Sequence, residues 1–111
     1  MANKEELFKR CLLEAVDEGL LILGDSGRKA IYFHLQKLHS LKREDIPNNP
    51  EAFAKGLREI FGVGAEVIEK AIIKVLYDKL GLKFEERKGY TFREYLRDCE
   101  QLLRRTLRLK V

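Results

Sequence analysis

No apolar run in this sequence approaches 18 residues. That excludes a membrane-spanning helix, which needs about 20 consecutive apolar residues. The start, Met1-Ala2-Asn3-Lys4-Glu5-Glu6, has no apolar core region after a basic one, so no secretory leader is expected and a cytoplasmic location follows. Methionine, glutamine and asparagine are scarce: one, two and three residues. With abundant Lys, Glu and Arg, that scarcity points to a thermophilic source. Only two cysteines occur, Cys11 and Cys99. In a cytoplasmic protein they are expected as free, buried thiols, with a bridge between the first and last helix as the alternative. The two histidines, His34 and His39, stand five apart, and no Cys or carboxylate cluster completes a ligand set. Two ligands on one helix face want a spacing of three or four, so neither a metal nor a cofactor is expected.

What the chain has in quantity is charge and aliphatic side chains. Charged residues make up 36% of 111 positions, against roughly 25% in ordinary globular domains. Hydrophobic residues make up 45%, enough for the core of one domain. The periodicity is helical throughout, and the expected fold is an all-α single-domain bundle of about five helices.

Residues 64–80 form its central helix. Ala65, Ile68, Ile72, Val75 and Leu76 share one face, widened by Val67 and Ala71, while Glu66, Lys70 and Lys74 line the other and Ile73 falls among polar positions. Gly81 supplies the left-handed residue expected after the last turn.

Helix one is expected from about Lys4 to Leu23, capped by Asn3, with Leu7, Phe8, Cys11, Leu12, Ala15 and Val16 inward. Gly19 lies on that apolar side, where it permits close approach of another helix. Gly24-Asp25-Ser26-Gly27 copies the nucleophile motif of trypsin-like serine proteases. No histidine precedes it and no strand-rich sequence surrounds it, so Asp25 or Ser26 reads as the N-cap of helix two. That helix runs to His39, with Ala30, Ile31, Leu35 and Leu38 as its seam. His34 is expected as a partly buried, hydrogen-bonded residue. Residues 40–49 read as a loop, and Asn49-Pro50 starts helix three, Pro50 to Phe61. Helix three, the turn Gly62-Val63-Gly64 and the central helix have the outline of a helix-turn-helix. Glu66 and Glu69 near the start of the second helix argue against DNA in that groove.

Residues 83–111 form a candidate C-terminal arm. Lys83 to Tyr90 read as a linker, with a small hairpin as the alternative. Thr91-Phe92-Arg93-Glu94 is a capping box for helix five, which extends to about Leu109 with Phe92, Leu96, Cys99 and Leu103 as its seam. Residues 1–82 hold 13 basic and 13 acidic side chains; residues 83–111 hold 9 and 5, so the whole net charge of +4 lies in the arm.

The residues of the first three quarters resemble a family. Leu12-Leu13-Glu14-Ala15-Val16-Asp17-Glu18-Gly19-Leu20, Leu23-Gly24-Asp25-Ser26 and Ala30-Ile31-Tyr32-Phe33-His34-Leu35 carry the first part. Ile46-Pro47, Phe53, Leu57, Phe61-Gly62, Gly64-Ala65, Ile68-Glu69 and Leu76-Tyr77 carry the second. Over about residues 8–82 the chain is similar to a small archaeal domain of unknown function, named for a proposed signalling output role in Nitrosopumilus. The resemblance implies a regulatory or interaction role and brings no catalytic residues.

Three functions follow as expectations. The first is a non-enzymatic regulatory or protein-interaction module that self-associates as a two-fold dimer, using Tyr95, Leu102, Leu107 and Leu109. The second is nucleic-acid or acidic-partner binding through Arg97, Arg104, Arg105, Arg108 and Lys110. Those bases also suit a helix C-terminus, where they complement its dipole. The third is a small-molecule sensor or an enzyme. Glu14, Asp17, Glu69 and His34 are its acid–base candidates, but no spacing converges them, so catalysis is not expected. Glu69 projects between Leu76 and Ile73, and a carboxylate buried there needs a partner; Tyr32, His34 or Arg28 are the candidates.

Overall fold

The structure, a computed structural model, describes residues 3–109, with side chains through Thr106. Among the described residues there are five α-helices and no strand: α1 (Lys4–Gly19), α2 (Gly24–His39), α3 (Pro50–Phe61), α4 (Ala65–Lys79) and α5 (Phe92–Leu109). The fold is all-α, as the periodicity requires, and no helix of the described residues is long and apolar enough to cross a membrane.

Local chemistry sets most boundaries. Asn3 accepts the Glu6 amide at 2.8 Å and caps α1. Pro50 opens α3. Thr91 and Glu94 cap α5 reciprocally, each side chain accepting the other's amide at 3.2 Å. Gly81, at φ +68°, lets the Leu82 amide reach back to the Tyr77 carbonyl at 2.9 Å.

Three expected details are corrected. Helix one does not continue to Leu23: it ends at Gly19, and Leu20–Leu23 tighten into a 3-10 turn. That turn buries Leu20 and leaves Leu21 and Ile22 exposed. Helix two starts at Gly24, and neither Asp25 nor Ser26 caps it. Asp25 instead pairs with Arg28 and Lys29 along the first turn, so the Gly24-Asp25-Ser26-Gly27 segment is helical surface. Residues 40–49 are not all loop, because Arg43–Asn48 form a 3-10 helix that buries Ile46.

α4 is the hub. It packs against α1, α3, α5 and the Leu20–Leu23 turn. α1 crosses it closely at Gly19, where an added Cβ would lie 2.4 Å from Ile72 Cγ1. The bare glycine is what allows that approach, as its place on the apolar face suggests. Lys79 reaches Glu18 at 2.9 Å further along the same antiparallel pair. The pattern misplaces two residues of α4. Ile73 is fully buried and Val67 is 65% exposed. α5 and the segment before it cover the side of α4 that carries Tyr77 and, one turn earlier, Ile73.

α5 folds back on the body. Phe92, Tyr95, Leu96, Cys99 and Leu103 are buried in the same core as Phe8, Leu12, Ile72 and Tyr77. The Tyr77 hydroxyl donates to Asp98 at 2.8 Å, tying α4 to α5. The segment before α5 is a loop, not a hairpin. It is held by Phe84, whose ring lies 5.4 Å from Tyr77 and 5.6 Å from Tyr95, and by the Tyr95 hydroxyl, which bonds both the amide and the carbonyl of Arg87.

Candidate functional site

α3, α4, the loop before α5 and the start of α5 enclose a pocket of about 540 Å³. Its chemical centre is Glu69. This residue is 5% exposed, and its only ion-pair partner among the described residues is Arg58, whose Nη2 stands 3.3 Å from Oε1. The other oxygen, Oε2, is buried with no hydrogen-bond donor. Burial pushes the Glu69 carboxyl above the usual range; Arg58 opposes this, and the nearby Glu66 adds to it. The group is thus a carboxyl that would gain from a second donor.

Arg58 itself is half exposed. It stands between this pocket and a second hollow of about 620 Å³, and both are lined by Arg58, Glu69, Thr91 and Phe92. Across the first pocket, Lys70 is held by Glu86. Arg87 lies over the Tyr90 ring at 5.6 Å, and Tyr90 packs edge-on against Tyr95 at 5.1 Å. Because the Tyr95 hydroxyl is fully engaged by Arg87, Tyr95 turns its ring, not a polar tip, to the pocket.

The partners proposed for Glu69 from sequence are elsewhere. Tyr32 donates to Asp17, and Arg43 clamps the same carboxylate with two nitrogens. Burial raises the Asp17 carboxyl, but the bonds from Arg43 and Tyr32 outweigh it and hold it below the usual range. This trio pins the Arg43–Asn48 helix to α1 and α2. Arg28 pairs with Asp25, and His34 is half-buried on α2. Glu14 sits near Lys79 at 3.8 Å. The four acid–base candidates are therefore not brought together. His39 Nε2 on α2 lies 2.8 Å from Glu59 on α3, without hydrogen-bond geometry. Among the described residues no three His, Cys, Asp or Glu side chains form a metal-ligand group.

The arm residues separate in the same way. Tyr95, expected at a dimer contact, is 3% exposed and belongs to the core. Leu102 is half-buried against that core. Leu107, Leu109, Arg108 and Lys110 have side chains outside the described residues. Arg97, Arg104 and Arg105 are exposed, and Arg104 is held by Glu100 at 3.2 Å. Cys11 and Cys99 are unbridged and buried. Burial pushes both thiols up, Cys99 to about 12, which leaves them poor nucleophiles.

Sequence reasoning missed Arg58, although a signal was present. Arg58 stands five residues before Val63 and Glu69 five after Gly64. Positions equidistant from a tight helix–helix turn face each other when the two helices pack.

The fold and pocket define an all-α single-domain protein with an acid-floored pocket. No protein-family model, curated protein or solved structure matches the chain.

Proposed function

We propose that the protein is a non-enzymatic regulatory domain that binds a small molecule in the pocket over Glu69. One observation carries this reading: a carboxylate 95% removed from solvent, with one oxygen lacking a donor, in a pocket of ligand size. Buried polar groups normally find partners, and leaving one unpaired costs about 1–3 kcal/mol. Small-molecule sites are typically about 300–1,000 Å³, with apolar walls and a few placed polar groups. The inert thiols and the dispersed acid–base candidates support binding over catalysis.

The test is a thermal-shift screen of the full chain against separate classes: amino acids, nucleotides, organic acids and polyamines. The reading expects at least one class to raise the melting temperature saturably. Amide shift changes in NMR should then cluster in residues 58–73 and 86–95. Binding by no class, or changes elsewhere, would overturn it.

A second observation favours self-association, at a different place from the one expected. Leu21 and Ile22 on the 3-10 turn are 46% and 58% exposed, and Val63 in the turn before α4 and Val67 in its first turn are 90% and 65% exposed. The Leu20–Leu23 turn contacts α4, so exposed apolar side chains stand on two touching elements, and we read them as one apolar end. A second copy related by a two-fold axis would bury it. The basic side of α5 supports a nucleic-acid role less, because Arg104 is already held by Glu100.

A further inference from the structure

We infer that the pocket takes a small zwitterion, an α-amino acid with an apolar or aromatic side chain, whose ammonium meets Glu69 and whose carboxylate meets Arg58. The inference rests on the reading of this pocket as a ligand site. Arg58 and Glu69 make a single contact at 3.3 Å, and each keeps unused capacity: Oε2 of Glu69 lacks a donor, and a guanidinium offers five.

Charge balance selects the ligand. An amine alone would meet Glu69 and Glu66, which lines the same pocket, but would give Arg58 no anion to hold. An acid alone would set a second anion beside a buried carboxylate. A molecule carrying both signs, one carbon apart, adds no net charge and offers each member of the pair its opposite; Oε2 is buried, so the half-exposed Arg58 swings outward with the ligand carboxylate to admit the ammonium. Lys70 does not compete for the carboxylate end, because Glu86 holds it.

The walls select the side chain. Most of the lining is charged, and its apolar part is one side made by Phe92, the ring of Tyr95 and the buried Ile73, with Tyr90 closing the edge at 36% exposure. The volume suits a side chain of leucine or phenylalanine size and excludes a folded partner. Arg87 and Lys88 also line the pocket and would suit a phosphate, which makes nucleotides the informative competitor.

The experiment is isothermal titration of the full chain with L-leucine and L-phenylalanine. Isoamylamine and phenethylamine, which lack the carboxylate, and 3-phenylpropionate, which lacks the amine, run beside them. At least one amino acid is expected to bind, with tenfold or greater loss for its amine-only or acid-only counterpart. Glu69→Gln should abolish binding while the variant melts no lower than the parent chain. Arg58→Gln should weaken the amino acid but not the amine. Equal binding of an amine-only or acid-only probe, or unchanged binding by Glu69→Gln, would overturn the inference. Binding of a nucleotide with none of either amino acid would overturn it and leave the pocket reading standing. If no class in the screen binds, both readings fail.

Discussion

Glu69 is a cost to the fold as well as a candidate ligand contact. Its carboxyl is held above the ordinary range in the folded chain, chiefly by burial. A raised acid stabilises the folded state most when protonated, so its contribution is complete below the unfolded pKa and falls as pH rises through the folded one. Glu69→Gln is therefore expected to raise stability at pH 7–8 by about 1–2 kcal/mol, with the gain vanishing near pH 4. Chemical denaturation at both pH values checks this; an unchanged or lower midpoint at pH 8 would refute it. Ser40 is the other strained residue. It ends α2 at φ +50°, in the left-handed region. Glycine enters that region without strain, so Ser40→Gly should stabilise by about 0.5–1 kcal/mol, readable as a higher melting temperature.

Among the elements, the α1–α4 contact is a close one with backbone directly behind it. A methyl group at Gly19 meets Ile72 Cγ1 at 2.4 Å and the Ile72 backbone at 3.0 Å. Backbone cannot rotate away, so Gly19→Ala should cost about 1–3 kcal/mol by forcing the two helices apart. A urea midpoint equal to that of the parent chain would show that the helices can shift freely. This contact was legible in the sequence, because a glycine on an apolar helix face has few other reasons to be there. The Asn3 cap, the Thr91–Glu94 capping box and Gly81 were equally legible, since each is set by residues within one turn. The rotation of α4 was not. Ile73 looks polar-flanked along its own helix, and only the return of α5, some twenty residues later, gives it a wall. The pocket was half legible: the acid on α4 was visible, and its cover came from three separate segments.

For the whole molecule, α5 is core and not an appendage. A chain ending at Leu82 loses Phe92, Tyr95, Leu96, Cys99 and Leu103 from the buried set and uncovers Ile73 and Tyr77. It is expected to lose its cooperative thermal transition by circular dichroism. A well-folded truncation would mean that the first four helices suffice. The apolar end makes a separate prediction. Light scattering of the full chain should give a dimer, and Ile22→Lys with Val67→Lys should return it to a monomer without loss of helicity. A parent chain that is monomeric across a broad concentration range would remove that reading and leave the pocket untouched.

The chain has four tyrosines and no tryptophan, so its intrinsic emission is purely phenolic. Tyr32 and Tyr77 each donate to a carboxylate, Asp17 and Asp98, a contact that drains the excited phenol by proton transfer. The light is therefore expected mainly from the rings whose hydroxyls meet no carboxylate, Tyr90 and Tyr95, both at the pocket. Occupation of the pocket becomes visible without a label, and unfolding, which frees the two darkened rings, makes the chain brighter.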